Sequence, residues 1–258
     1  NEIKQIENEN DFVKNYTLYK KHKLKIIEKN KLISQISYLK NYNKIEINNI
    51  IDFLLKNDYI TFNDSISVWN PIEKISYMDN YNSLLLNVKG IIAQNINECN
   101  EILFTELLIN KYLHQLTPCE IVAVLAVFIE DNEEIYLNDL EIPDNIRKTI
   151  IKIDNLSKTY SLKENSCDLN IKSIWDLYYG FVEPSYMWAN GDSIYKIYNR
   201  CTLHDGNFIR NIIRIDNLVE NMKLICDIIQ DYELLHKIQN IHELIIRDQV
   251  TTESLYIK

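Results

Sequence analysis

Two arginines and two asparagines near the end of the chain are spaced for one face of a single helix. A helix turns by about 100° per residue, so Arg210, Arg214, Asn217 and Asn221 fall in one line along it. Guanidinium groups bind phosphates through paired hydrogen bonds or stack on bases, and amides bond base edges. This row therefore has the chemistry to bind single-stranded RNA. The same spacing is also typical of a solvated helix face, and periodicity alone leaves that alternative open.

The segment that carries this row also has an apolar stripe. From about residue 205 to 230, apolar residues recur at alternating steps of four and three, the pattern of a helix packed along one flank. The stripe consists of Phe208, Ile212, Ile215, Val219, Met222, Cys226 and Ile229. We therefore expect this flank to be buried in a helical bundle, with the polar row on roughly the opposite side.

The motifs of ATP chemistry do not occur in these residues. The phosphate-binding pattern GxxxxGK[ST] is absent, and so is an Asp-Glu-x-His run that would hold magnesium and polarise water. Ser193, His204 and Asp205 come nearest to a catalytic triad, but no nucleophile elbow or glycine-lined oxyanion loop surrounds them. We expect ordinary structural roles for all three residues and no catalytic residue in the chain.

Residues that could bind a metal are scattered. The five cysteines stand singly at positions 99, 119, 167, 201 and 226, which argues against a zinc ribbon and against a disulfide framework. Cys201 and His204 could share a helical face, whereas His236 and His242, six positions apart, could not. Since two ligands do not make a site, we predict no metal site and thiols that are reduced and mostly buried.

Composition favours a helical protein with little autonomous affinity for nucleic acid. Four glycines and four prolines in 258 residues are few for a sandwich, a barrel or a nucleotide-binding sheet. The formal net charge of −9 opposes tight binding to phosphate backbones. Any RNA contact must then be local or shared with other domains. The heavy use of Asn, Ile, Lys and Tyr indicates an AT-rich genome rather than selection for base stacking.

Two features at the level of the whole chain concern its location and completeness. No apolar run approaches the length of a bilayer span, and the first residues lack the order of a signal peptide. We therefore expect an intracellular protein without a membrane partner, with nothing to distinguish nucleus, cytoplasm or viral factory. The chain begins at Asn1 rather than methionine, which fits a fragment of a longer protein and equally a processed or tagged one.

The hydrophobic pattern predicts three successive regions. Residues 11–40 carry a narrow apolar stripe on a lysine-rich helix, typical of one arm of an antiparallel helical hairpin. Residues 44–96 indicate a short helix, an extended piece, a strand, a turn at Gly90 and another helix start, which suggests part of a winged-helix fold with a small β-hairpin. The predicted organisation is a stalk-like helix over 1–43, this partial winged-helix element over 44–96 and a helical bundle over 97–258.

The bundle region is predicted to be helical almost throughout. Two apolar helices, 101–114 and 118–130, are separated at Thr117-Pro118, where threonine can cap a helix and proline fits its first turn. An acidic connector covers 130–145. Further helices are expected at about 144–163, 170–183, 184–190, 193–200, 205–230 and 232–256.

A resemblance to a known family is carried by NECNEILFTELLINKYLHQLTPCEIVAVLAVF at 97–128 and RDQVTTESLYIK at 247–258. Both stretches resemble the C-terminal helical-bundle (DSHCT) domain of superkiller-type, exosome-associated DExH-box RNA helicases. The segment HDGNFIRNIIRIDNLVENM at 204–222 looks like the family's ratchet helix. Trp188, Ala189 and Gly191 match an element that precedes it, in which the glycine ends one helix and Asp192 or Ser193 caps the next. Arg247 and Asp248 match an Arg-Asp pair of the family, and we expect structural anchoring from them. The resemblance covers most of 85–258, with weaker support from 12–62 and extra residues around 64–82, including Trp69 and Pro71.

The resemblance implies a mainly α fold, a bundle of the ratchet-helix type preceded by a stalk helix and a partial winged helix. It implies an accessory RNA-channel module of an ATP-dependent 3′-5′ helicase, which supports the RecA-like motor and contacts threaded single-stranded RNA through the arginine and asparagine row. ATP and Mg²⁺ would be cofactors of the parent helicase and not of this chain. The implied partners are the RecA-like domains of the same helicase, single-stranded RNA, and the exosome or adaptor proteins.

Two details of the resemblance leave the site open. Asn217 stands where the family commonly has an acidic residue, and Glu130 to Glu133 correspond to a region near the RNA path but also suit a solvated acidic loop. A different class of function stays open as well. A lysine-rich helix and an acidic connector on one chain would suit a helicase-derived scaffold that binds proteins without catalytic activity.

Overall fold

The computed structural model describes residues 10–63, 83–130, 135–169, 175–201 and 205–251. Over these residues the chain is mainly α-helical, with one small two-stranded sheet. This confirms the predicted fold class. Among the helices in these ranges, none combines the length and the apolarity that crossing a bilayer requires.

The first element, helix α1 at Asn10–Lys56, is also the longest in the described ranges. All side chains from 12 to 43 are exposed, and among the described side chains of α1 the buried ones are Ile51 and Phe53. The separate short helix predicted after residue 44 is therefore wrong: it continues the first one, because no glycine or proline interrupts residues 40–56. The predicted division at residue 43 falls inside α1 and stays a prediction.

A small antiparallel hairpin follows α1. Strand β1 is Ile60–Phe62 and strand β2 is Leu84–Leu86, with Ile60 opposite Leu86. Helix α2, Val88–Ala93, contains Gly90 instead of the turn predicted there. A Cβ at Gly90 would stand 2.3 Å from the carbonyl oxygen of Tyr59, so glycine serves close packing of α2 against the hairpin. The winged-helix interpretation stays a prediction, and Trp69 and Pro71 lie outside the described residues.

The bundle consists of short and long helices that share one core. Their bounds are α3 Glu101–Ile109, α4 Pro118–Leu125, α5 Asp144–Asn165, α6 Val182–Ala189, α7 Ile194–Arg200, α8 Asp205–Ile229, α9 Tyr232–Ile238 and α10 Ile241–Ile245. Short 3₁₀ turns lie at Ala126–Phe128, Leu137–Asp139 and Asp248–Val250. Helix α4 packs against α5, α6 and α8, and α8 packs against α9 and α10. The central position of α4 explains why its residues are almost entirely apolar.

Glu106 of α3 joins the hairpin region to the bundle. Its carboxylate accepts hydrogen bonds from Lys89 Nζ at 2.6 Å, Tyr160 OH at 2.8 Å and Tyr59 OH at 3.3 Å. These side chains come from α2, from α5 and from Tyr59, the residue before β1. A buried carboxylate is tolerated only when it is paired and hydrogen-bonded, so Glu106 requires all three parts of the chain to be in place.

Two predicted helix boundaries are confirmed in detail. Thr117 and Glu120 form a capping box at the start of α4, with Pro118 in its first turn. Ser193 caps α7 by accepting a hydrogen bond from the Lys196 amide, and Gly191, with φ of 94°, follows the end of α6. The structural role predicted for Ser193 is therefore a helix cap.

Three predicted helices end elsewhere or do not form. Helix α3 stops at Ile109 rather than 114, just before Lys111 takes a left-handed φ of 55°. The described part of the helix predicted over 170–183 is irregular up to α6, because the Tyr178 amide bonds the Val127 carbonyl across the bundle. The helix predicted over 232–256 is broken into α9 and α10, and within the described residues it does not continue past Ile245.

Candidate nucleic-acid interface on helix α8

The apolar stripe of α8 is buried, as its spacing predicts. Ile229 is partly buried, and the other stripe residues are fully buried: Phe208, Ile212, Ile215, Val219, Met222 and Cys226. Phe208 meets the rings of Trp188 and Phe181 edge-on, with centroids 5.2 and 5.6 Å away. These contacts fix the rotation of α8 about its axis, and that rotation decides where the polar row points.

The four predicted site residues lie along the border between the exposed and buried sides of α8. Arg210 and Asn217 are exposed and Asn221 is half-buried, while the Arg214 side chain is 28% exposed. At about 100° per residue, buried Leu218 lies next to this row, so the row is on a flank of α8 and not directly opposite the core. Neither arginine is sealed inside the bundle.

Two members of the row contact a carboxylate that comes from outside α8. Arg214 Nε lies 3.6 Å from Oε2 of Glu98, and Arg214 Nη2 donates to the Glu98 backbone carbonyl at 3.3 Å. Asn217 Nδ2 donates to Glu98 Oε1 at 3.1 Å. Glu98 precedes α3 and is 116 positions from Arg214 in the chain. Spacing within one helix could not have indicated this residue, which the sequence analysis therefore missed.

A second group of charges lies on a neighbouring sector of α8. Asp216 accepts from His242 Nδ1 of α10 at 2.9 Å, and Glu220 pairs with Lys223 at 2.7 Å. Burial raises the pKa of the Asp216 carboxyl, and the hydrogen bond from His242 opposes that rise. Potential ligand atoms of Asp216, Glu220 and His242 lie within 4.8 Å of one another. Since these side chains already pair with each other or with lysine, we describe them as an ion-pair network.

Most of the other predicted candidates lie outside the described residues. His204 and the side chain of Asp205 fall outside them, so neither the triad nor the Cys201–His204 pair is tested. Glu130 is exposed at the end of its segment, and residues 131–134 also fall outside. The absence of catalytic and metal-binding residues stays a prediction.

The cysteines differ in burial. All five are free; Cys167 and Cys226 are buried, and the other three are half-buried. Burial raises the pKa of Cys201 to about 11 and that of Cys226 to about 12. Because the thiolate is the reactive form, these two thiols are poor nucleophiles near neutral pH.

Arg247 anchors the end of the described chain on α6. Its guanidinium lies 3.7 Å from the Trp188 ring centroid, and its Nη2 donates to the carbonyls of Trp188 and Asp192. This confirms the predicted anchoring role. Arg247 also pairs with Asp248 at 2.7 Å, a contact not expected between neighbours on a helix. It forms because Arg247 is extended instead of helical.

Comparison with known proteins places this arrangement in a family. Residues 83–253 match the DSHCT (NUC185) domain, a range that includes β2, the bundle and all of α8. The chain belongs to the DSHCT (NUC185) domain family. This confirms the predicted family, and the matched range begins after α1.

Several curated relatives share this domain. ATP-dependent RNA helicase mtr4 of Schizosaccharomyces pombe is 29% identical over 182 residues, which cover 67% of this chain and 16% of that protein. Antiviral helicase SKI2 of Saccharomyces cerevisiae is 26% identical over 191 residues, covering 72% of this chain and 15% of that protein. Human Superkiller complex protein 2 is 23% identical over 188 residues, with 72% and 15% covered. The chain thus spans only 15–16% of the length of these three relatives, of which the first two are named as helicases.

Proposed function

We propose that this chain is an accessory RNA-channel module of an ATP-dependent 3′-5′ DExH RNA helicase and that α8 contacts single-stranded RNA. The contacting residues are Arg210, Arg214, Asn217 and Asn221. The observation that carries the proposal is the orientation of α8, whose apolar flank is buried while both arginines reach the surface. The names of the relatives, which include RNA helicases, support the same assignment.

The row is chemically suited to a strand that moves. Guanidinium groups bind phosphates whatever the base, and the asparagine amides can bond base edges or ribose hydroxyls. From Arg210 to Asn221 the row extends about 16 Å along the helix, at about 1.5 Å per residue. This length allows contact with several nucleotides, without selection for one sequence.

The net charge of −9 limits what this module can do alone. Electrostatic attraction dominates nonspecific nucleic-acid binding, so we expect weak binding by the isolated chain and stronger binding where RecA-like domains of the same helicase complete the channel. ATP and Mg²⁺ would be bound by those domains. Exosome components or adaptor proteins are proposed partners of the parent protein.

The decisive test is reversal of charge on the row. We expect Arg214→Glu to weaken binding of a short fluorescent oligouridylate about three- to tenfold at low salt, and to reduce the salt dependence of log Kd by about one. Fluorescence anisotropy across a salt series measures both. In the parent helicase, the same change should impair RNA-stimulated unwinding.

The matched control is Lys148→Glu, which makes the same change of charge at an exposed position of α5. If Lys148→Glu weakens RNA binding as much as Arg214→Glu, net charge and not the α8 row is responsible. If Arg214→Glu leaves both affinity and unwinding unchanged while the thermal unfolding midpoint is preserved, the proposed RNA contact is wrong.

A helicase-derived protein scaffold is the second candidate. It is favoured by exposed apolar side chains along α1, each between 38% and 60% exposed: Phe12, Tyr16, Tyr19, Ile26, Ile33 and Ile36. These residues would pack against a second helix in the parent protein or against a partner. Reading the gene upstream of Asn1 discriminates the two candidates, because a Walker lysine and a DExH motif there would favour the motor and their absence would favour the scaffold.

A further inference from the structure

Glu98 contacts Arg214, the residue that we propose to bind a phosphate of the RNA strand. We propose that the Glu98 carboxylate is an internal competitor for the strand's phosphate, which keeps the contact between α8 and RNA weak and reversible. This inference rests on the proposed function, since it assumes that Arg214 meets a phosphate. It assigns to Glu98 a positioning and tuning role and not a direct contact with RNA.

The backbone and the side chain of Glu98 act differently on Arg214. The backbone carbonyl accepts a hydrogen bond from Nη2 at 3.3 Å, so it holds the guanidinium in place. The carboxylate lies 3.6 Å from Nε and supplies the opposing charge. Its other oxygen accepts from Asn217 at 3.1 Å. A guanidinium has five N–H donors, so these contacts leave donors that can reach a phosphate.

The ion pair is accessible enough to exchange. The Arg214 and Glu98 side chains are 28% and 29% exposed, and ion pairs of such exposure are weak. Because a phosphate must displace this carboxylate, we expect the affinity for RNA to be about two- to fivefold lower than it would be if Arg214 were unpaired. The carboxylate tunes the contact without blocking it.

A weakened contact suits a strand that must be released repeatedly. Changes at one interface act mostly on the dissociation rate, so a competing carboxylate shortens the time that a phosphate stays on Arg214. After release, Glu98 pairs again with Arg214 and keeps its guanidinium near the surface of α8. The same residue would thus lower the affinity and preserve the geometry between binding events.

The substitution Glu98→Gln separates charge from geometry. Glutamine keeps the backbone carbonyl and an oxygen that can accept from Asn217, but it removes the negative charge. We expect oligouridylate to bind the full 258-residue chain about two- to fivefold more tightly, with a steeper dependence of log Kd on log salt. Anisotropy at several salt concentrations and the dissociation rate measure the effect.

The control is Glu101→Gln, which removes the same charge from an exposed residue in the first turn of α3. A second arm tests dependence on the arginine: in an Arg214→Gln background, Glu98→Gln should produce no gain. Thermal unfolding of each variant reports whether the fold is intact. If Glu98 had only a structural role, Glu98→Gln would change the unfolding midpoint, and its effect on RNA binding would not depend on Arg214.

Each outcome has a distinct meaning. A gain that Glu101→Gln reproduces, or one that persists in the Arg214→Gln background, overturns the inference because it shows a general charge effect. Unchanged or weaker binding by Glu98→Gln, with Arg214→Gln still harmful, overturns the inference and leaves the proposed function standing. Binding that does not depend on Arg214 at all overturns both.

Discussion

At the scale of single residues, burial alters the acid–base chemistry of one thiol on α8. Cys226 lies on α8 like the arginine row, but its side chain is fully buried in the core. Burial raises the pKa of this thiol from its ordinary value of 9.0 to about 12, because the charged thiolate would lose its hydration. A thiol that resists ionisation in the folded chain connects stability to pH.

The expected result is a loss of stability at high pH that depends on Cys226. The folded pKa is raised, so the contribution is complete below about pH 9; above it the unfolded chain releases a proton that the folded chain keeps. Between pH 8 and 10.5 the loss should be about 2 kcal/mol. In reductant, urea unfolding of the wild type and Cys226→Ala should show a difference in unfolding free energy that shrinks as pH rises.

Comparing the wild type with Cys226→Ala isolates the contribution of this thiol to the pH dependence of stability. Tyr59 and Tyr160 also have raised pKa values, chiefly through burial, but both tyrosines are present in both chains and cancel in the difference. A difference between wild type and Cys226→Ala that stays constant with pH would show that Cys226 does not titrate as its burial requires.

At the scale of elements, short-range signals predicted the starts of helices better than their ends. The Thr117-Pro118 and Ser193 signals are local, since a cap needs only a side chain and an amide two or three residues away. The end of the helical segment after α10 depends on a contact with a distant part of the chain. Arg247, for example, leaves helical geometry to reach Trp188 of α6.

The cap of α4 provides a test at this scale. Thr117→Ala removes the hydroxyl that accepts from the Glu120 amide, and we expect it to lower the free energy of unfolding by about 1 kcal/mol. The control is Thr159→Ala at an exposed position of α5, where the hydroxyl only bonds a carbonyl of its own helix. Chemical denaturation should show little change for the control, and equal losses would indicate that the capping box is not the cause.

At the scale of the whole molecule, the stability of the core does not depend on the first part of α1. The core extends from α2 to the end of the described chain and includes α4, α6 and α8. Residues 12–43 of α1 are exposed throughout and lie outside the range that matches the DSHCT domain. Side chains that stay in water contribute little to folding stability.

Removal of residues 1–43 should therefore leave the bundle intact. We expect the chain 44–258 to unfold cooperatively, with a thermal midpoint within about 2–3 °C of the full chain, because no described core residue is lost. Calorimetry measures the midpoint. A control that removes residues 1–56 also deletes buried Ile51 and Phe53 and should be clearly destabilised; equal midpoints for both truncations would contradict this division.

The sequence by itself determined the mainly α class, the two flanks of α8 and the caps of α4 and α7. The reason is that each depends on helical periodicity or on hydrogen bonds between near neighbours, which any local stretch already contains. The identity of the family followed from the same stretches of sequence.

Only the tertiary structure decided which groups from distant segments meet. It placed Glu98 against Arg214, 116 positions away, moved Gly90 from a predicted turn into α2 against Tyr59, and set the polar row at the border of the core. Such contacts depend on how helices pack against one another, which is decided by the shapes of many side chains together. No spacing along a single segment carries that information.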